Sequence, residues 1–122
     1  MTKLFFIILV SLVQLKADEY ASLLFHGNCT TCHFELETHS APSIVDLKQR
    51  YLSAFAQKKL FVQQMSTWVL QPKKENSIMH DAIQKYGLMP ELGFDLETLE
   101  IIAEYIYETD FTQKHETHNK SR

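Results

Sequence analysis

The amino-acid sequence predicts an all-α fold, and two observations indicate it. Apolar residues recur at three- and four-residue intervals in the segments 58–70 and 96–108, which is the spacing of one face of an α-helix. No segment shows the alternation of apolar and polar residues that is typical of a half-buried β-strand. With 122 residues, 45% of them hydrophobic and 22% charged, the chain has room for one globular domain built from four or five helices.

The first 17 residues have the pattern of a secretory signal peptide. One positive charge precedes the apolar run 4–13, and the small residue Ala17 follows it. An apolar run of about ten residues is too short to cross a bilayer core of about 30 Å as a helix. We therefore expect cleavage after Ala17 and export to the periplasm. An uncleaved membrane anchor is the alternative, since Leu15 and Lys16 depart from an ideal cleavage site.

Local start and stop signals divide the predicted domain, residues 18–111, into helices. Pro72 ends the helix over 58–70, because proline disfavours helix at the residue before it. Gly87 suits the end of another helix, and Asp95 suits the start of the last one. The predicted helices are residues 18–28, a short one after Pro42, 58–70, one from Asn76 or Ser77 to Tyr86, and 96–108. The Ser43-x-x-Asp46 spacing at the start of the short helix resembles a capping box.

The charged and polar residues exclude one class of function and mark the end of the domain. The chain has 12 Lys and Arg residues against 15 Asp and Glu residues, a formal charge of −3, and no basic run of the kind that binds nucleic acid. Loss of the signal segment removes Lys3 and Lys16, so the remaining chain is more acidic, which affects association rates rather than the fold. Residues 112–122 are entirely polar, and we expect a disordered tail there.

The segment Cys29-Thr30-Thr31-Cys32-His33 carries the main functional signal. Cys-x-x-Cys-His is the pattern that attaches haem covalently, because two thiols on one helical turn can reach the two vinyl groups of a porphyrin edge. His33 then lies beneath the ring, where its imidazole can bind the iron as the proximal ligand. Export places these cysteines, the two that the chain contains, in an oxidising compartment where a free dithiol does not stay reduced.

Three other uses of the two cysteines fit the sequence less well. A thioredoxin-type dithiol expects a preceding strand in a βαβ unit. A zinc site needs four ligands, and the other pair at metal spacing, His115 and His118, lies in the polar tail, where we expect solvent exposure. A disulfide between Cys29 and Cys32 would close a very tight loop. We therefore expect one covalently attached haem c per chain.

Met89 is the best candidate for the distal iron ligand. Two strong protein ligands keep the iron geometry similar in both oxidation states, and methionine opposite histidine raises the reduction potential. Met89 precedes Pro90 in a segment that cannot be regular helix, so a loop can bring its sulfur to the side opposite His33. Met79 and His80 are the alternatives for this position.

Together these motifs resemble the small monohaem cytochromes c of class I, of bacterial periplasmic type. The resemblance covers residues 20–108 and includes Leu24-Phe25, the attachment motif at 29–33, Ala41-Pro42, Gly87-x-Met89-Pro90 and the segment 101–106. It implies a class I cytochrome c fold around one covalent haem, with an aromatic residue of the last helix packed across the first. It also implies a hydrogen bond from the His33 ring to the Pro42 carbonyl, which would orient the imidazole.

The resemblance implies an electron carrier rather than an enzyme. Its partners would be other redox proteins of a respiratory chain, met through small, weak interfaces, with transient contact to a membrane complex, and the protein would be a monomer. Two alternatives stay open: a haem subunit of a larger redox complex, and a ligand-binding or peroxidase-like haem protein with an open sixth position. Trp68 either donates its indole N–H to a haem propionate or is a core residue of an amphipathic helix.

Overall fold

The structure, a computed structural model, describes residues 1–113; for residues 11–15 it describes the backbone alone. Within these residues the chain forms five α-helices and one 3₁₀ turn and no β-strand, which confirms the all-α prediction. The elements are α1, Thr2–Asn28; α2, Ile44–Ala54; α3, Lys58–Leu70; the 3₁₀ turn, Lys74–Asn76; α4, His80–Tyr86; and α5, Leu96–Glu108. Most of the predicted polar tail, with His115 and His118, lies outside the described residues.

Helix α1 is continuous from Thr2 to Asn28, so the predicted first helix at 18–28 is its second half. No proline or glycine occurs between residues 2 and 26, and nothing in this stretch breaks the helix. The large apolar side chains of residues 4–10 are exposed, whereas Phe25 near the other end is completely buried. Among the described residues, no helix has both the length and the apolar character needed to span a membrane. Cleavage after Ala17 stays a prediction.

Helix α5 lies at the centre of the packing, with its most extensive contacts to α3 and further contacts to α1 and α2. The ring of Phe25 on α1 lies 5.2 Å from the ring of Tyr105 on α5 and 5.3 Å from that of Phe111, measured between centroids. The Tyr105 hydroxyl also donates to the hydroxyl of Ser22 at 3.4 Å. An aromatic side chain of the last helix therefore packs across the first one, as the resemblance implies.

Helices α2 and α5 begin at the capping residues that the sequence predicts. The Ser43 hydroxyl accepts a hydrogen bond from the backbone N–H of Asp46 at 3.2 Å. Asp95 accepts one in the same way from the backbone N–H of Thr98 at 2.8 Å. Each cap satisfies an N–H group of the first turn that has no acceptor within the helix, and so fixes where the helix starts.

Helix α4 begins later than the sequence predicts, but it ends where predicted. Asn76 and Ser77 are not its N-cap; that position is taken by Met79. The Ser77 hydroxyl instead accepts the backbone N–H of Met79 at 3.0 Å, so it stabilises a turn before the helix. Gly87 ends the helix with a φ of +89°, a conformation that glycine adopts without a steric penalty.

Candidate functional site

A cavity of about 270 Å³ lies among helices α2 to α5 and the loops that follow α1 and α4. Its walls are mainly apolar, with a small number of polar groups, and this is the usual character of a site for a cofactor or small ligand. The buried apolar residues that line it are Ile44, Tyr51, Met65, Met79, Leu99, Ile102, Ala103 and Ile106. The cavity is therefore built by the same side chains that form the core.

Cys29, Cys32 and His33 all line this cavity. The motif continues the helical path at the end of α1: the Cys29 N–H donates to the Phe25 carbonyl at 2.9 Å, and the His33 N–H donates to the Cys29 carbonyl at 2.9 Å. These bonds span four residues each, as in an α-helix. The turn they form brings both sulfur atoms and the imidazole to one cavity. Both cysteines are free thiols.

The burial of Cys29 limits its chemistry as a thiol. Burial raises the pKa of the Cys29 thiol to about 11, so the sulfur is protonated at neutral pH. A redox-active dithiol needs the opposite, a lowered pKa that makes one sulfur a thiolate. Cys32 is exposed. Cys29 is therefore not the reactive thiolate of a thioredoxin-type dithiol.

The imidazole of His33 is held by the backbone of Pro42. Its Nδ1 lies 2.8 Å from the Pro42 carbonyl oxygen. A carbonyl oxygen can only accept, so Nδ1 carries a proton and donates it, and in the neutral ring Nε2 keeps its lone pair. Pro42 directly precedes Ser43, the N-cap of α2, so the start of that helix sets the position of the carbonyl. The hydrogen bond that the resemblance implies is thus present, and it leaves Nε2 able to bind a metal.

Two backbone hydrogen bonds connect the residues after the motif to the start of α2. The N–H of Ile44 donates to the carbonyl of Phe34 at 2.9 Å, and the N–H of Val45 donates to the carbonyl of Glu35 at 3.1 Å. Both N–H groups belong to the first turn of α2, where a helix offers them no acceptor. These contacts fix the loop that carries His33 against the helix that follows Pro42, so the imidazole is placed by main-chain geometry.

Two of the three residues considered for the distal position line the cavity. Met89 lies in the non-helical segment between α4 and α5 and is half-buried, whereas Met79 is buried with 7% of its surface exposed. His80 is exposed and does not line the cavity. Met65, on α3, is a third methionine in the wall. Geometry therefore supplies thioether sulfur at the site and gives His80 no support, while the choice of Met89 over Met79 stays a prediction.

Trp68 also lines the cavity, but its indole N–H has a partner within the chain. Nε1 donates to the carbonyl oxygen of Lys73 at 3.0 Å, in the segment that follows α3. A hydrogen bond to a haem propionate would require this contact to break. The sequence does not reveal the Lys73 acceptor, because every residue has a backbone carbonyl and the residue type at position 73 therefore carries no signal.

The donor groups fit haem iron better than a bare metal ion. Among residues 1–113, no group of three or more His, Cys, Asp and Glu side chains comes together in a way that could hold a metal ion. Haem iron needs only axial ligands from the protein, because the porphyrin supplies the others. One imidazole with a free Nε2, thioether sulfur in the same cavity and two thiols for attachment meet that need. The residues present therefore fit a covalently attached haem.

No protein-family model matches the chain, and comparison with curated proteins and with solved structures finds no match. The motif residues and the geometry of the cavity that they line are therefore the features that point to a function.

Proposed function

We propose that the chain is a c-type cytochrome, a small protein that carries one covalently attached haem and transfers electrons. One observation supports this most strongly: His33 of the Cys-x-x-Cys-His motif lines an apolar cavity and donates its Nδ1–H to Pro42. The neutral ring is thereby held in the tautomer whose Nε2 has a free lone pair, which is the form of imidazole that binds iron. A histidine that served only to fill the core would not need free thiols at the residues one and four positions before it.

Cys29 and Cys32 are the proposed attachment residues. Each thiol would add across one vinyl group of the porphyrin, so that a carbon–sulfur bond forms and the thiol hydrogen goes to the other vinyl carbon. This addition consumes no external oxidant or reductant. The apolar side chains of the cavity would surround the macrocycle and exclude water from it, and the domain would thereby gain apolar interior that a chain of this size has difficulty supplying alone.

His33 is the proposed proximal ligand and Met89 the proposed distal one. When bound, haem supplies an iron that gains and loses one electron reversibly. The Pro42 hydrogen bond would keep the His33 ring in one orientation in both oxidation states. A thioether ligand from Met89 would close the second axial position, which favours electron transfer over reactions that need an open site.

The proposal also includes a cellular location and a class of partner. The predicted signal at residues 1–17 would direct the chain to the periplasm, where the haem would exchange electrons with other redox proteins through weak, short-lived contacts. A permanently bound haem subunit of a larger redox complex would use the same chemistry. The two cases differ in whether the protein purifies alone.

Carbon monoxide binding tests the proposal against an open-site haem protein. We expect the reduced, haem-loaded protein to give a low-spin, six-coordinate absorption spectrum and to bind carbon monoxide slowly, because Met89 must first leave the iron. Met89→Ala supplies the open-site reference and should bind carbon monoxide rapidly. Rapid binding by the unaltered protein, at the rate of that variant, would contradict the carrier function and favour the peroxidase-like or ligand-binding alternative.

A further inference from the structure

We propose that Arg50 is a positioning residue for the distal side of the haem site, and that it acts through its ion pair with Asp81 at the start of α4. The proposal rests on the proposed function, since α4 leads directly into the segment that contains Met89.

The Arg50 guanidinium bridges carboxylates on two different helices. Its Nη1 donates to both oxygens of Asp81 on α4, at 2.7 and 2.8 Å. Its Nε donates to Asp46, one turn earlier on α2, at 3.2 Å. Asp46 holds the long side chain in place, so less freedom is lost when Arg50 binds Asp81. The hydrogen bonds from Arg50 lower the pKa of Asp81, as expected for a carboxylate paired with a guanidinium.

Helix α4 has few other means of staying in position. It has seven residues, fewer than a helix needs to be stable by itself, and none of them is buried. It is not among the helices that pack extensively against another helix. Within the described part of the chain, Arg50 provides the side-chain hydrogen bonds that join α4 to a different helix. Its partly buried residues Ala82, Ile83 and Tyr86 line the cavity itself, and Ala82 also packs against the hydrophobic core.

Both candidate sulfur ligands flank this short helix. Met79 is its N-cap, and Met89 follows its C-cap Gly87 by two positions. Any displacement of α4 therefore moves the sulfur that would bind the iron. Asp81 lies in the first turn, where the helix dipole favours a negative charge, so the carboxylate supports α4 and binds Arg50 at the same time.

Helix α2 connects the two sides of the site. Its N-cap, Ser43, follows Pro42, whose carbonyl holds the proximal His33, and Arg50 lies almost two turns further along. The same helix thus positions the imidazole near its start and the distal segment near its end. Breaking the pair between Arg50 and Asp81 leaves the contact to His33 intact, so we expect only the distal side to loosen.

Imidazole binding to the oxidised, haem-loaded chain measures this effect, because imidazole competes with the distal ligand. We expect Arg50→Ala and Asp81→Asn to bind imidazole about two- to fivefold more tightly than the unaltered protein, the change that a well-placed surface ion pair produces. Lys58→Ala is the matched control. Lys58 is exposed to a similar degree, 41% against 37% for Arg50, and bridges Glu104 and Glu108, but it joins α3 to α5.

Salt and a conservative variant separate an electrostatic clamp from a general loss of stability. At about 1 M salt, where the Debye length is about 3 Å, the unaltered protein should approach the imidazole affinity of Arg50→Ala. Asp81→Glu keeps the carboxylate, so its imidazole affinity should lie closer to that of the unaltered protein than to that of Asp81→Asn. Amide exchange should accelerate at residues 80–86 in Arg50→Ala and stay unchanged in α5.

An equal change in Lys58→Ala, or an unchanged imidazole affinity in a haem-loaded Arg50→Ala, would overturn this inference and leave the proposed function standing. A chain that carries no covalent haem would overturn both.

Discussion

The Nδ1–H of His33 donates a hydrogen bond to the carbonyl oxygen of Pro42 across 2.8 Å, between residues nine positions apart. The fold fixes the position of both partners. The start of α2 places the Pro42 carbonyl, and the turn that follows α1 places the His33 ring. The contact selects one tautomer of the imidazole and leaves Nε2 for a metal. The contact thereby makes Nε2 the ring nitrogen that is available for the iron in the function that we propose.

The tautomer itself can be measured. In the reduced, haem-loaded protein we expect the Nδ1 proton of His33 to give a nuclear magnetic resonance signal that exchanges slowly with solvent, because the hydrogen bond to Pro42 protects it. Nitrogen-15 labelling of the imidazole identifies which ring nitrogen carries the proton. A proton found on Nε2 instead would contradict both the hydrogen bond and the assignment of Nε2 as iron ligand.

Replacing Met89 tests the distal ligand. Met89→Ala should lose the low-spin, six-coordinate spectrum and lower the reduction potential by about 0.1 V or more, a part of the roughly 0.8 V range that axial ligands control. Met79→Leu is the matched control, since Met79 is a methionine in the wall of the same cavity. If Met79→Leu has these effects and Met89→Ala does not, the two methionines have been assigned the wrong way round.

Removing either cysteine tests the attachment. Cys29→Ala or Cys32→Ala should leave the haem held by one thioether or not incorporated, and the double variant should release all of its haem into acidified organic solvent. Thr31→Ala, an exposed residue within the same motif, should retain the haem fully and serves as the control. Haem that stays bound to the denatured double variant would show that attachment occurs elsewhere.

The cysteines of the haem-free chain should differ in reactivity. Burial raises the pKa of Cys29 from 9.0 to about 11, so at pH 8 its thiolate is about a hundredfold scarcer than that of an ordinary cysteine, and iodoacetamide should alkylate the exposed Cys32 first. The alkylation rate of Cys29, measured in Cys32→Ser, should rise with pH up to about 11. Equal alkylation rates at pH 8 would contradict the buried thiol.

The pKa of the Cys29 thiol is higher in the folded chain than in the unfolded chain. The folded haem-free chain should therefore lose stability as pH rises from about 9 to about 11.

The contact between the first and last helices should contribute strongly to stability. Phe25→Ala removes a completely buried ring that packs on Tyr105 and Phe111, and we expect the free energy of unfolding to fall by about 3–5 kcal/mol. Leu23→Ala, with 67% of its side chain exposed on the same helix, should change it by less than about 0.5 kcal/mol. Denaturant titration of the haem-free variants compares the two directly, and equal losses would contradict the packing described for α1.

The sequence predicts the helix boundaries that one side chain determines. Ser43 and Asp95 cap α2 and α5, and Gly87 ends α4, because each supplies a hydrogen-bond acceptor or a backbone conformation that the boundary needs. The start of α4 was predicted wrongly, because the Ser77 hydroxyl binds the N–H of Met79 in a turn before the helix. The first helix is predicted from residue 18, whereas α1 begins at Thr2, because no proline or glycine interrupts residues 2–26.

The candidate site likewise contains residues that a sequence pattern marks and contacts that only the packing of the helices creates. The motif singles out Cys29, Cys32 and His33, the non-helical segment before Pro90 singles out Met89, and the resemblance to class I cytochromes c adds Pro42. All five of these residues line the same cavity. The contacts that no local pattern marks could not be anticipated. Trp68 donates to a backbone carbonyl, and Arg50 pairs with a carboxylate 31 residues away, so only the packing of the helices reveals either partner.

The intact mass of the exported protein, measured under denaturing conditions together with its absorption spectrum, tests the central claim most directly. We expect the mass of the chain from residue 18 onward plus one haem, with the haem absorbance remaining on the denatured polypeptide because two thioether bonds hold it. A mass that retains residues 1–17 would correct the cleavage prediction alone. A mass equal to that of the polypeptide, with no haem absorbance on it, would contradict the assignment of this chain as a c-type cytochrome.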